Sequence, residues 1–148
     1  MAVWLGVDVG TVRVGVARGD ATGLLASPLT TLRRDRRGGS DVAALLELVA
    51  EWEASGVVVG LPVTLRGEHG SSARMAEEFA AALRAVAPDL AVEFVDERHT
   101  TVTAQQQLRA AGRTARQQRE IVDAQAAAVL LQAWLDRARA GAHPEVSA

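Results

Sequence analysis

The start of the chain alternates between hydrophobic positions and small or polar ones. This period of two residues predicts a β-strand over residues 3–9, in which Trp4, Gly6 and Asp8 alternate with aliphatic side chains and both faces are covered. Gly10 and Thr11 predict a turn. Further strands are predicted over residues 12–18 and 24–32, so the first part of the chain is expected to form an antiparallel meander.

The hydrophobic period then changes to that of helices alternating with strands. Ser40 and Asp41 are expected to cap a first helix that ends near Gly56, and Ser71 with Ser72 a second helix that Pro88 stops. The β-branched runs 57–62 and 91–95 predict buried strands. Two more helices are predicted, over residues 100–111 and 116–140. This order predicts an α/β fold in which helices flank a mixed sheet.

Composition narrows the functional classes. A chain of 148 residues with 49% hydrophobic residues suits one domain, expected over residues 1–140, and the tail 141–148 is expected to be disordered. Since no apolar run approaches the roughly 20 residues of a membrane span, we expect a cytoplasmic protein without a membrane partner. Because cysteine is absent, any metal is expected to be a hard ion bound through oxygen, Mg²⁺ or Mn²⁺.

Carboxylates interrupt predicted apolar surfaces at three places. Asp8 lies on the first strand, Asp96 and Glu97 end the last strand, and Asp123 lies on the apolar side of the final helix. Each has a structural alternative: Asp8 can cap a turn, Asp96 or Glu97 can cap a helix or pair with Arg98, and Asp123 can pair with Arg119 at helical spacing. If the acids converge, they repel one another, and a divalent cation would relieve that repulsion and activate water against a phosphodiester.

Several motifs of the chain together resemble those of the YqgF/RuvX family. They are Asp8-Val9-Gly10-Thr11-Val12-Arg13-Val14-Gly15-Val16-Ala17, Val59-Gly60-Leu61-Pro62, Gly67-Glu68-His69-Gly70, Asp96-Glu97-Arg98-His99-Thr100-Thr101 and the segment 123–132. The resemblance implies an RNase H-like fold, with a five-stranded mixed sheet made of a three-strand antiparallel meander and two parallel strands. It also implies a metal-dependent nuclease that trims precursor 16S rRNA in ribosome biogenesis, with Holliday-junction resolution as an alternative.

Matched to the family motifs, Asp8, Glu97 and Asp123 are the expected catalytic residues and metal ligands. Asp96 is the alternate to Glu97, because strand parity places the two on opposite faces and the sequence does not say which one faces the metal. Arg13 matches the basic position of the first motif and is a candidate contact to nucleic acid.

The chain contains no lysine, so all sixteen of its strongly basic side chains are arginines. Between residues 98 and 119 there is no Asp or Glu. We therefore expect a phosphate-binding track of Arg98, Arg109, Arg113, Arg116 and Arg119. The loop 33–39 is expected to be too charged and too rich in glycine to pack, and its side chains Arg33, Arg34, Arg36 and Arg37 are either solvated or contacts to phosphate. Structured RNA or branched DNA is the expected partner of a monomer or homodimer. The alternative to an enzyme is a module of the same fold that binds nucleic acid without cleaving it. An actin-like ATPase is disfavoured because it needs a second, similar domain.

Overall fold

The structure is a computed structural model that describes residues 2–62, 69–97 and 115–141, with side chains of the last segment described from residue 122 onward. Its elements are β1 (Val3–Val9), β2 (Arg13–Gly19), β3 (Ala26–Arg33), α1 (Ser40–Glu51), β4 (Ala54–Leu61), α2 (Ser71–Val86), β5 (Ala91–Asp96) and α3 (Ala115–Arg139). The helix expected over residues 100–111 and the tail after residue 141 lie outside the described residues.

The strands form one five-stranded sheet in the order β3-β2-β1-β4-β5. The first three strands pair antiparallel, whereas β4 pairs parallel to both β1 and β5. The predicted meander and mixed sheet are therefore confirmed. No helix within the described ranges combines the length and the apolar composition that a membrane span requires.

Two hydrophobic clusters cover the two faces of the sheet, as expected for strands with apolar side chains on both sides. On one face, Leu5 and Val7 of β1 pack with Leu45 of α1 and Phe79 of α2. On the other face, Val58 and Val95 pack with side chains of α3, among them Leu131. We call this second side the α3 face, and it is the face on which the candidate site lies.

The start of α1 differs from the expectation that Ser40 and Asp41 cap it. The residue before the helix is Gly39, at φ 71°, and no side chain caps the helix from there. Instead the carboxylate of Asp35 accepts hydrogen bonds from the Ser40 hydroxyl at 2.7 Å, the Gly38 amide at 2.8 Å and the Ser40 amide at 3.0 Å. These bonds, that of the Ser40 hydroxyl first, lower the pKa of Asp35 to about 2.

Other element boundaries also differ from the sequence prediction. α1 ends at Glu51 and Gly56 lies inside β4, so the expected helix end at Gly56 is wrong. A Cβ at Gly56 would overlap the Trp4 ring, which explains the glycine as a close packing contact. α2 begins at Ser71 after Gly70 without a side-chain cap.

The expectation that the loop 33–39 is too charged and too rich in glycine to pack is also wrong. The Arg34 side chain, only 5% exposed, donates to Oδ2 of fully buried Asp41 at 2.5 Å. Its guanidinium also lies over the Phe79 ring, at 5.4 Å from the centroid. Arg36 pairs with Glu78 of α2 at the surface. These two arginines therefore fasten the loop to the helices.

The buried pair leads to a stability prediction. Asp41→Asn leaves the Arg34 guanidinium buried without a countercharge, which is expected to lower the free energy of unfolding by about 3 kcal/mol. The control is Glu78→Gln, which breaks the exposed pair to Arg36 and is expected to change stability by less than about 1 kcal/mol. Urea denaturation of both variants measures the difference. Equal losses would contradict the structural role given to the buried pair.

Candidate active site

Asp8 lies near the carboxyl end of β1 with its side chain on the α3 face. Gly6, two residues earlier on the same face, has space for no side chain, because a Cβ there would lie 2.7 Å from Leu131 Cβ. Asp8 is opposite Gly15 in the antiparallel pair of β1 and β2. Directly opposed residues share a face of the sheet, so Gly15 lies beside Asp8 on the α3 face.

Gly15 also allows the backbone of α3 to approach the sheet at Asp123. A Cβ at Gly15 would overlap the carbonyl oxygen and carbonyl carbon of Asp123. The helix therefore lies against β2 at the residue that bears the acid, and the two carboxylates come close enough to interact. Burial, and after it the charge of Asp123, raises the pKa of Asp8 to about 6.

Glu97 follows β5 and extends its carboxylate across β4 on the α3 face. Its Oε2 atom lies 3.2 Å from the position that a Cβ of Gly60 would occupy, so the glycine provides the space for the carboxylate. Burial makes the largest contribution to the pKa of Glu97, and the charges of Asp8 and Asp96 add to it, raising it to about 7. The influence of Asp8 indicates that the carboxylates of Asp8 and Glu97 are close enough to interact.

Asp96 lies on the opposite face of the sheet from Glu97. Val92 and Phe94 pack in the cluster with α1 and α2, whereas Val95 packs in the cluster with α3. By strand alternation Asp96 shares the face of Val92 and Phe94, and Glu97 shares the face of Val95. This geometry favours Glu97 over its alternate as the partner of Asp8.

Arg13, at the start of β2, faces the same side as Gly15 and reaches α3. Its Nε donates to Oδ2 of Asp123 at 2.5 Å, and both side chains are 27% exposed. This contact joins residues that are 110 positions apart in the chain. Among the described side chains, Arg13 is the cation that pairs with Asp123. Arg98, Arg109 and Arg113, with the side chains of Arg116 and Arg119, lie outside the described part of the structure.

A divalent cation such as Mg²⁺ or Mn²⁺ requires several oxygen ligands held close together. No three Asp, Glu or His side chains in the described ranges are grouped closely enough to hold a metal ion as they stand. Their chemistry nevertheless fits such an ion: Asp8 and Glu97 are partly buried, share one face and repel each other, and oxygen ligands of this kind suit Mg²⁺ or Mn²⁺. Asp123, which accepts a hydrogen bond from Arg13, is a third carboxylate on that face.

Comparison with known proteins defines the family. The family model described as "RuvX: Holliday junction resolvase" matches residues 2–137. The chain therefore belongs to the RuvX family. A relative from Nocardia farcinica (strain IFM 10152), named "Putative pre-16S rRNA nuclease", is 50% identical over 137 residues, covering 89% of this chain and 76% of the relative. A relative of the same name from Mycobacterium leprae (strain TN) is 53% identical, covering 92% of this chain and 73% of the relative.

A solved structure supports the fold of this RuvX-family chain. RuvC of T. thermophilus in complex with a Holliday junction substrate has a TM-score of 0.62 and 18% identity, covering 95% of this chain and 97% of that chain. Both the family resemblance of the motifs and the RNase H-like fold are thus confirmed. RuvX is a nuclease family acting on nucleic acid, and nucleases of the RuvC and RuvX type generally depend on divalent metal ions.

Proposed function

We propose that this RuvX-family chain is a cytoplasmic nuclease in which Asp8, Glu97 and Asp123 hold Mg²⁺ or Mn²⁺, and that it processes the end of precursor 16S rRNA. The observation that supports the proposal is the approach of acids from β1, α3 and the end of β5 on one face, with the pKa values of Asp8 and Glu97 raised by burial and by neighbouring acids. The relatives' name supports precursor rRNA as the substrate.

The bound cation would supply charge neutralisation at the phosphodiester and a more acidic water. The protein's own residues do the rest. Gly6, Gly15 and Gly60 let α3 and the Glu97 carboxylate pack closely against the sheet, which keeps the acids together on one face. Arg13 brings a guanidinium to the same face, and the arginines of the expected track, from Arg98 to Arg119, would bind flanking phosphates.

A second candidate function is Holliday-junction resolution, which the description of the matching family favours. A resolvase must cut two strands symmetrically, which requires a two-fold dimer. A non-catalytic nucleic-acid-binding module of the same fold is the third possibility.

One experiment separates the three functions. The full chain is incubated with a fragment carrying a precursor 16S rRNA end and, in parallel, with a four-way DNA junction, each with Mg²⁺, with Mn²⁺ and with EDTA. We expect cation-dependent cleavage of the RNA. Paired symmetric nicks in the junction, with intact RNA, would indicate a resolvase. Binding of both substrates without cleavage under any condition would indicate the non-catalytic module and overturn the proposal.

A matched pair of variants tests the assignment at the end of β5. Glu97→Gln removes the carboxylate that lies above Gly60 and is expected to reduce cleavage by at least about 100-fold, since a metal ligand is lost. Asp96→Asn changes the neighbouring residue of opposite parity and is expected to keep activity within about tenfold of wild type. Initial rates on the RNA fragment provide the comparison. The reverse order of effects would make Asp96 the ligand.

A further inference from the structure

The contact between Arg13 and Asp123 places a positive charge at the point where the proposed function needs a metal ion. Arg13 Nε donates to Oδ2 of Asp123 at 2.5 Å. The pair joins the first residue of β2 to α3, at the level where Gly15 lets the helix backbone approach the sheet. Asp123 is thus already paired with a cation, and among the described residues no three acidic or histidine side chains are grouped closely enough to hold a metal ion.

This ion pair is weak enough to exchange. Both side chains are 27% exposed, so water reaches them and screens their attraction. Ion pairs that water reaches contribute little to stability. When such a pair competes with a ligand, it changes the affinity for that ligand only several-fold. A divalent cation would also bind the carboxylates of Asp8 and Glu97. It therefore competes for Asp123 with more ligands than the single Arg13 guanidinium can offer.

We propose that Arg13 is an exchangeable counter-cation: it pairs with Asp123 while the site holds no metal, yields the carboxylate when a divalent cation binds, and then offers its guanidinium to a substrate phosphate. The inference rests on the proposed metal-dependent function and adds a role for Arg13 in regulating ligand assembly. The planar guanidinium suits both partners, because it bonds carboxylate and phosphate with the same set of donors.

A different role for the same contact predicts the opposite result. If Arg13 only orients Asp123 as a ligand, in the way that outer residues orient metal-binding side chains, removal of Arg13 weakens metal binding. If Arg13 competes with the metal, removal strengthens it. Metal affinity therefore separates the two roles, whereas loss of activity would accompany either.

The test measures Mn²⁺ binding by isothermal titration calorimetry in wild type, Arg13→Gln, Arg13→Lys and Arg18→Gln. Arg18 is the matched control: it lies on the same strand, on the opposite face, with its guanidinium 4.3 Å from the centroid of the Trp52 ring. We expect Arg13→Gln to bind Mn²⁺ about 3- to 10-fold more tightly than wild type, because a partly exposed ion pair no longer competes. Arg13→Lys, which keeps the charge, is expected to lie between them, and Arg18→Gln to match wild type.

Substrate binding gives the second readout. With Mn²⁺ saturating, Arg13→Gln is expected to bind the RNA fragment several-fold more weakly than Arg18→Gln, since a phosphate contact is lost. Unchanged or weaker Mn²⁺ binding by both Arg13 variants would overturn the exchange while leaving the metal site intact. Asp8→Asn identifies failure of the proposed function itself: if wild type and Asp8→Asn bind Mn²⁺ equally, or neither binds it, there is no metal site of the proposed composition and both inferences fall.

Discussion

Asp8→Asn is expected to abolish cleavage and at the same time to make the metal-free protein more stable. Loss of a central ligand removes the charge stabilisation that the cation would give, so cleavage is expected to fall by about 10³-fold or more. Stability changes in the other direction because burial and the charge of Asp123 oppose ionisation of Asp8 in the folded protein. A neutral asparagine of similar size avoids that penalty.

The pH dependence follows from the raised pKa. Asp8 ionises at about pH 6 when folded, against an ordinary value of 3.8. As far as Asp8 contributes, the folded protein is therefore most stable below pH 3.8. It loses stability as the pH rises from 3.8 to about 6, and it stays less stable at higher pH. At about pH 8 in EDTA, Asp8→Asn is expected to exceed wild type in free energy of unfolding by about 2 to 3 kcal/mol, and at about pH 4 the difference is expected to be small.

Urea denaturation in EDTA at each pH, repeated with Mn²⁺, measures these effects. The control is Asp89→Asn, which removes the same charge from an exposed position after α2 and is expected to leave stability and cleavage unchanged. Mn²⁺ is expected to raise the stability of wild type and not of Asp8→Asn, because only a ligand of the folded state stabilises it. A variant less stable than wild type at about pH 8 in EDTA would show that Asp8 is not an uncompensated buried charge.

The fold was predictable because hydrophobic spacing depends on residues close together in the sequence. The alternation from Val3 to Val9 and the apolar run from Val57 fixed which segments are strands, and the connecting helices implied the parallel pairs. Helix caps were mispredicted because they depend on distant groups. The carboxylate at the start of α1 comes from Asp35, five residues before Ser40, while Asp41 is drawn into a buried pair with Arg34.

Of the candidate site, the sequence indicated only the acids. A carboxylate on an apolar surface is visible in the sequence, and this pattern indicated Asp8, the pair Asp96 and Glu97, and Asp123 as candidates. The contact of Arg13 with Asp123 was not visible, because it depends on how β2 and α3 meet across 110 residues. Glycine inside a strand often marks the close approach of another backbone or of a ligand, so Gly15 and Gly60 could have been recognised as site residues from the sequence.

Gly15→Ala is expected to have the largest effect on both stability and site geometry. The added methyl would overlap backbone atoms of Asp123, which cannot move without moving α3. The helix packs over β1, β2 and β3, so its displacement disturbs the whole cluster on that face. We expect a loss of more than about 4 kcal/mol in the free energy of unfolding, beyond the usual range for an added methyl, because the obstacle is backbone.

Gly19→Ala is the matched control, since Gly19 lies on the same strand and the same face. Its Cβ would lie 3.4 Å from Leu135 Cδ1 and 3.4 Å from the Trp4 carbonyl oxygen, an ordinary contact distance, so the expected change is within about 1 kcal/mol. Thermal and urea denaturation give the stabilities, and Mn²⁺ titration of whatever Gly15→Ala remains folded gives the site geometry. That fraction is expected to bind Mn²⁺ more weakly than Gly19→Ala, because a displaced α3 carries Asp123 away from Asp8. Equal stability and equal Mn²⁺ affinity in the two variants would mean that the close approach at Gly15 does not position the acids.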